Sequence, residues 1–491
     1  MRVKPDAPLP TREGCMFDGG RAERVTTGMR EFYRGAAPAL DPLGLFRELA
    51  GTVPAYRDFL ASQGVSPDEV RSLADVPLMT KANYHERYPL PARCRNGSLA
   101  GCDMVAVSSG SSGRPTVWPR SVLDERAVAA RFEQVFADGF GAAGRSTLAV
   151  VCFALGSWVG GMYTAACARH LAAKGYPITV VTPGNNVDEI LRVVAELSPL
   201  FDQTVLLGYP PFIKNVIDAG AGWPSRATKV VLAGEVFSEQ WRDLIAARTG
   251  MPDPATGTAS LYGTADAGVL GNETPLSIRI RRFLADRPAL ATEVFGDARL
   301  PTLVQYDPAS RWFEETGDGT LAFTGDGGVP LVRYHIADEG GLVAYPDMLA
   351  LCRKHGFDPG PGPELPFVYV FGRSLFTVSF FGANIYPENV TVGLERPPLS
   401  DQLTGKFVIR VVEDADAERR LAVTVELAPG AAPSGTLTDA VAEAIRAELL
   451  RLNSEFAHYV PPAYQLPKVE LRPAGDPDYF PPGVKHRYSR P

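Results

Sequence analysis

The sequence predicts an α/β protein, in which a large N-terminal part of alternating strands and helices is followed by a small α+β C-terminal domain. Three observations carry this expectation. Short β-branched runs alternate with helix-length segments through the middle of the chain, the pattern changes character after Asn384, and 491 residues exceed what one hydrophobic core usually organises.

The strand candidates are Leu148–Phe153, Pro177–Thr182, Thr204–Leu207 and Lys229–Ala233, and Asn186–Leu197 is a helix-length segment between two of them. Such alternation predicts layers around a largely parallel sheet. Beyond Asn384, Lys406–Glu413 and Leu421–Leu427 read as strands, and Thr436–Leu452 has a long amphipathic helix pattern. The Pro/Gly-rich stretch 358–366 reads as a loop near a boundary. From Ser146 to Ala168 there is no charged residue, a length that could span a bilayer. Gly156, Gly160 and Gly161 divide that run, so a buried strand followed by a helix is the expectation.

Composition narrows the function. A formal charge of -7 argues against nucleic-acid binding, which needs clustered Lys and Arg. The six cysteines include no C-x-x-C pair and no Cys/His spacing for a metal, so reduced thiols and a cytoplasmic location are expected. The polar N-terminus, MRVKPDAPLPTREG, carries no apolar targeting segment, and no membrane association is expected.

One stretch asks for a chemical explanation. Val107–Thr116 reads VSSGSSGRPT, with serines and glycines following an apolar run. Backbone N–H groups and hydroxyls in such a loop can point at an anion, and glycines permit its close approach. A surface turn has the same composition. Ser108, Ser109, Gly110, Ser111, Ser112 and Gly113 are therefore candidate phosphate-binding residues, although the Gly-Lys-Ser/Thr of a P-loop is absent.

This loop resembles the phosphate-binding loop of the adenylate-forming superfamily, and further segments in the same order support the resemblance. Leu261–Asp266 is similar to that family's Tyr-Gly-x-x-Glu motif, and Arg333–Asp338 to its Arg-Tyr-x-x-x-Asp motif. Phe371-Gly372-Arg373, followed by Gly382–Pro387, resembles the hinge and the first turn of its C-terminal domain. Gly483–Arg487 stands where the family keeps a catalytic lysine. Val76–Lys81, Thr116 and Ala233-Gly234-Glu235 resemble the phenylacetate-CoA ligase branch. The resemblance implies an adenylation domain over 1–373 that binds ATP and an acid, and a mobile C-terminal domain over 374–491.

It also implies roles. The loop would hold the β- and γ-phosphates of ATP, while Tyr262 and the Ala233-Gly234-Glu235 turn would enclose the adenine, with Gly263 and Arg373 in the same nucleotide set. Asp338 would accept hydrogen bonds from the ribose diol, as an acceptor-only carboxylate can; a turn Asp after a strand is the plainer alternative. Asp266 stands where the family has Glu and would contact Mg²⁺, directly or through water; a helix N-cap is its alternative role. Lys485 is the catalytic candidate. Only nine of the 49 basic residues are lysines, and a compact ammonium suits charge developing on carboxylate and phosphoryl oxygens. A solvated tail residue is the bland alternative.

Phe153, Trp158, Tyr163 and Tyr209 are candidates for an acid pocket, where aromatics would suit an aryl acid; a packed α/β core contains the same residues. His170, Lys214 and Asp202 could orient a ring substituent. One departure concerns the hinge: Ser374-Leu375-Phe376 replace acidic residues usual after Gly372-Arg373, and Phe380-Phe381 precede Gly382 where a basic residue is usual. The expected activity is ATP- and Mg²⁺-dependent activation of a carboxylic acid as acyl-AMP, then transfer to CoA as co-substrate. Two alternatives stay open: passage of the adenylate to an amine or small inorganic nucleophile, and a nucleotide-binding regulator without turnover. The sequence also leaves the oligomeric state open, a homodimer included.

Overall fold

The structure is a computed structural model that describes residues 39–107, 116–156, 159–234, 236–373, 378–381, 383–413, 419–453, 456–457, 460–481 and 488. Its centre is an eleven-stranded sheet whose two flanks are built differently. In chain order the strands are β1 (Met104–Val107), β2 (Val117–Arg120), β3 (Thr147–Val151), β4 (Ile178–Val181), β5 (Gln203–Gly208), β6 (Thr228–Ala233), β7 (Thr258–Thr264) and β8 (Gly268–Asn272). There follow β9 (Thr302–Gln305), β10 (Trp312–Glu315), β11 (Thr320–Gly325), β12 (Leu331–Val343) and β13 (Phe367–Arg373). The sheet order is β10-β11-β12-β13-β9-β8-β7-β6-β5-β3-β4.

The four predicted strands are present as β3 to β6, and they pair in parallel with each other and with β7. Each step between them passes through a crossover helix: Val159–Lys174, Val187–Leu197, Pro210–Ala219 and Glu239–Thr249. Their β-branched runs reflect burial on both faces. In β3, Ala149 and Val151 join the cluster that holds Phe132, Phe136 and Tyr163, while Leu148 and Val150 face Ile213, Val230 and Trp241. The helix Val187–Leu197 begins where Asn186 Oδ1 accepts the amide of Glu189 at 3.1 Å.

The expectation of a largely parallel sheet holds for this flank alone. From β7 onward the pairings are antiparallel, and two of the connections are short turns, 265–267 between β7 and β8 and 316–319 between β10 and β11. The uncharged run 146–168 is β3 followed by the helix Val159–Lys174, as expected, and among the described residues no helix is long and apolar enough to cross a membrane.

The C-terminal residues form a separate α+β unit. β16 (Leu403–Glu413) and β17 (Arg419–Leu427) are antiparallel, and β18 (Lys468–Arg472) adds to β17 in parallel; β14 (Val378–Phe380) and β15 (Ala383–Ile385) form a short hairpin before them. The helix Gly435–Leu452 lays Val441, Ile445 and Leu449 on Phe407, Ile409, Val423 and Val425. Phe380 is fully buried in this same core, and the ring of Phe381 lies 4.9 Å from that of Tyr464. Both aromatics before Gly382 therefore pack within the small unit.

Candidate active site

Strands β2, β7 and β12 bring the described parts of three motifs together. β1 and β2 pair antiparallel, Val107 opposite Val117, so the Ser/Gly stretch connects two strands of a hairpin; residues 108–113 themselves lie outside the described residues. At the foot of this hairpin Arg120 is buried, and its Nη2 donates to the carbonyl of Ala265 at 2.6 Å. The hairpin is thereby fixed against the turn that carries Asp266.

That turn, between β7 and β8, is held from β12 as well. Tyr334 is fully buried, and its hydroxyl donates to Asp266 Oδ2 at 2.7 Å. Asp266 therefore sits in a strand-to-strand turn, and the alternative of a helix N-cap is excluded. Tyr262, near the end of β7, donates its hydroxyl to Asp338 Oδ2 at 2.7 Å. Asp338 lies inside β12, opposite Leu321 on one side and the backbone of Arg373 on the other, and is only 5% exposed. It is a strand residue, which corrects the alternative of a turn Asp; the side chain of Arg373 lies outside the described residues.

Why the second motif begins with Arg is also visible. Arg333 adopts φ 49° and Ala337 φ 58°, two left-handed residues that interrupt the β12 ladder. Arg333 Nη1 donates to the carbonyls of Val76 at 2.5 Å and Ala74 at 3.2 Å, and Nε pairs with Glu314 at 3.2 Å. Met79 exchanges backbone hydrogen bonds with the same strand, its N–H to Arg333 O and its carbonyl from His335 N. The segment Val76–Lys81 is thus docked beside the Arg-Tyr-x-x-x-Asp strand.

The adenine candidates meet in part. Gly234 follows β6 at φ 88°, and a Cβ there would stand 2.7 Å from Cε1 of Tyr209, so the aromatic side chain lies directly on the glycine. Tyr209 in turn meets Phe153 edge to face at 4.9 Å. Gly263 pairs with Val269 across the β7–β8 hairpin, and Tyr262 stacks towards Phe313 with centroids 6.2 Å apart. Ala233 is half-buried beside Gly234, whereas Glu235 lies outside the described residues.

Of the acid-pocket candidates, Phe153 and Tyr163 are core residues and Tyr209 is half-buried; Trp158 lies outside the described residues. The Tyr163 ring stands 5.7 Å from the Arg120 guanidinium, and its hydroxyl is buried against Gly268, where a Cβ would come within 2.7 Å. Among the described residues that hydroxyl has no hydrogen-bond partner, and burial raises its pKa well above the ordinary tyrosine value. The three polar residues considered for orienting a substituent have other partners. His170 Nε2 pairs with Glu125 at 3.2 Å, buried Lys214 with Asp218 at 2.8 Å, and Asp202 accepts from Ser146 at 2.7 and 2.8 Å.

Asp266 fits Mg²⁺ as one hard oxygen ligand. Among the described residues no group of three or more His, Cys, Asp or Glu could hold a metal, so an ion at Asp266 would take its remaining ligands from substrate phosphates and water, the usual Mg²⁺ arrangement. Lys485 lies outside the described residues. Arg120, Phe313 and Tyr334 were not legible as site residues. Arg120 carried one usable signal, a lone cation in the apolar strand that leaves the Ser/Gly loop.

No family model matches the chain. The phenylacetate-coenzyme A ligase of Aromatoleum evansii is 23% identical over 400 residues, which cover 77% of this chain and 78% of that protein. Among solved structures, 2-hydroxyisobutyryl-CoA ligase in its postadenylation state, in complex with R3-HIB-AMP, superposes with a TM-score of 0.62 at 16% identity, covering 96% of this chain and 92% of that one. The same enzyme with 2-HIB-AMP and CoA in the thioesterification state gives 0.50 at 15% identity, covering 99% and 95%. The chain is thus similar in sequence to a phenylacetate-CoA ligase and shares the fold of 2-hydroxyisobutyryl-CoA ligase.

Proposed function

We propose that the protein activates a small carboxylic acid, aryl by preference, as its acyl-AMP and then transfers the acyl group to CoA. The single observation that carries this reading is the convergence of Asp338 in β12 with Tyr262 and Asp266 at the end of β7 beside the hairpin of the Ser/Gly loop. In the first step a carboxylate oxygen of the acid attacks the α-phosphorus, the bond to the β-phosphate oxygen breaks, and pyrophosphate leaves. In the second, the CoA sulfur attacks the acyl carbon and AMP leaves with the former carboxylate oxygen.

The chain's residues would divide the work. Asp338, oriented by the Tyr262 hydroxyl, accepts hydrogen bonds from the ribose hydroxyls. The Tyr262 ring and the Ala233-Gly234-Glu235 turn enclose the adenine, with Gly263 and Arg373 beside it, and residues 108–113 surround the phosphates. Mg²⁺, where bound at Asp266, supplies charge neutralisation for the phosphates. Lys485, on the domain 374–491, meets the charge that develops on the carboxylate and phosphoryl oxygens. Of the four aromatics considered for the acid side, Phe153 and Tyr163 pack in the core behind Tyr209, and Tyr209 with Trp158 would present the apolar faces that favour a ring.

Acid-dependent exchange of labelled pyrophosphate into ATP, measured with Mg²⁺ over a panel of aryl and alkyl acids, tests the first step. No exchange with any acid, despite ATP binding, would favour a regulator instead. One sequence feature favours a second acceptor reading, the replacement of the acidic hinge by Ser374-Leu375-Phe376. AMP release that responds to an amine and not to CoA would establish it.

A further inference from the structure

Arg299, in the segment before β9, lies between the two units of the protein with a side chain only 2% exposed. Its Nε and Nη2 pair with Asp297 at 2.9 and 2.8 Å, and Nη2 also reaches Glu339 at 2.9 Å. The guanidinium carbon stands 4.3 Å from the ring centroid of Phe371 and 3.5 Å from that of Tyr386. Nη1 is 3.8 Å from Glu388 Oε2, and among the described residues neither atom has a hydrogen-bond partner.

These contacts fall on either side of residues 374–377. Asp297, Glu339 and Phe371 precede them and belong to the large unit, while Tyr386 and Glu388 follow and open the helix Pro387–Leu394 of the small one. Glu339 adjoins Asp338, the ribose candidate, and Phe371 stands two residues before Arg373 on the strand that pairs with it. Any reorientation of the small unit against the large one separates Arg299 from Tyr386 and Glu388 together and leaves its other contacts in place. A planar cation on two ring faces with carboxylates at its rim is a geometry that Arg satisfies and Lys does not.

We propose that Arg299 is a positioning residue that sets the orientation of the small domain, by clamping Tyr386 and Glu388 against the strand that carries Asp338. This rests on the reading of the protein as a two-step ligase, whose two reactions ask different things of that domain. Two more contacts cross the same boundary: Glu395 accepts the amide of Ser238 at 2.7 Å, and Arg248 Nη2 meets Asp401 at 2.6 Å.

The clamp has a pH dependence with a definite sign. Burial pushes the Glu388 carboxyl from 4.5 up to about 7; Arg299 opposes this, and Glu339 and Asp297 add to it. Burial acts in the same way on Glu395, also to about 7, with Ser238 and Arg281 opposing and Glu239 adding. From the small unit, Arg451 lines the same cleft and pairs with Glu448, as does Arg396. A raised carboxyl pKa means that the clamped arrangement favours the protonated acid. Its contribution is complete below about 4.5, declines as pH rises towards about 7, and is constant above.

The test uses the full chain and three variants, Arg299→Lys, Tyr386→Leu and Glu388→Gln. Pyrophosphate exchange, CoA-dependent AMP release, ATP affinity and small-angle scattering are measured for each across that pH window. Arg299→Lys and Tyr386→Leu are expected to change the ratio of the two half-reactions by roughly tenfold, the size of an ordinary conformational coupling, with ATP affinity kept within about twofold. Their scattering should broaden towards undocked arrangements. Glu388→Gln, the neutral isostere, should hold the acid-form scattering throughout and reduce its change with pH. Half-reactions that fall by one common factor, or Arg299→Lys scattering identical to the parent at every pH, would overturn the clamp. Absence of exchange in the parent protein would instead overturn the ligase reading, and scattering would still decide whether Arg299 holds the domain.

Discussion

Tyr262, near the end of β7, and Asp338, inside β12 and 76 residues further along the chain, share a hydrogen bond of 2.7 Å. The bond occupies one carboxylate oxygen, Oδ2, and orients the other. Asp338→Ala removes the proposed ribose acceptor and should raise the ATP KM by about tenfold or more, as loss of a charged hydrogen-bond partner does. Tyr262→Phe keeps the ring and removes only the orienting donor, so its effect on KM should be smaller. Steady-state kinetics of the two variants check the order; a larger effect from Tyr262→Phe would place the ribose contact elsewhere.

The pair Tyr334–Asp266 leads to a prediction about metal. Asp266→Asn loses the proposed anionic ligand and should raise the Mg²⁺ concentration needed for half-maximal exchange, because a hard cation prefers a charged oxygen. Tyr334→Phe preserves the buried ring beside His85 and Phe323 but releases Oδ2, and should shift Mg²⁺ dependence less. Titration of exchange activity with Mg²⁺ reads both; an unchanged midpoint in Asp266→Asn would remove this residue from the metal's ligands.

Lys485→Ala should leave ATP affinity nearly intact and slow adenylate formation by about two or more orders of magnitude, the scale of a lost transition-state donor. Single-turnover acyl-AMP formation is the measurement. Equal, small effects on binding and rate would make Lys485 a solvated tail residue.

How much of this was legible beforehand depended on burial pattern and on sequence distance. β3 to β6 announce themselves because parallel strands covered on both faces read as continuous β-branched runs. β12 does not: it carries Arg333, His335, Asp338, Glu339 and two glycines, and its left-handed residues at 333 and 337 break the period-two alternation on which a strand is recognised. The motif residues Tyr262, Asp266 and Asp338 could be singled out by order along the chain, but not their pairing with each other and with Tyr334. Arg299 was illegible altogether. One arginine among forty gains its role from partners at 297, 339, 371, 386 and 388, which only the fold assembles.

A stability prediction follows from Arg242, which is fully buried and pairs with Glu239 at 2.9 Å and Glu273 at 2.7 Å while contacting Thr258. Arg281 also pairs with Glu239, so Arg242→Met would leave Glu273 as the carboxylate without its cation. Breaking a buried pair on one side costs about 3–5 kcal/mol. Urea unfolding should show that loss, and the double variant Arg242→Met/Glu273→Gln should recover part of it.

The rewritten hinge yields the last prediction. An apolar hinge segment could favour one domain orientation if its side chains were buried in that orientation only, each worth roughly 1.5–3 kcal/mol. Phe380 and Phe381 do not meet this condition, since one is buried in the core of the small unit and the other lies on Tyr464 of the same unit. Rotation leaves their surroundings unchanged. Phe380→Ala should therefore lower stability by about 3–5 kcal/mol, as a buried Phe truncation does, without altering the ratio of pyrophosphate exchange to CoA-dependent AMP release. Leu375 and Phe376 are the remaining candidates for such a bias, and they lie outside the described residues. Leu375→Asp, which restores an acidic residue at the hinge, should change that ratio with little effect on stability, raising the CoA-dependent rate more than the exchange rate. A ratio that moves with Phe380→Ala and not with Leu375→Asp would reverse the assignment and put the control of domain orientation inside the small unit.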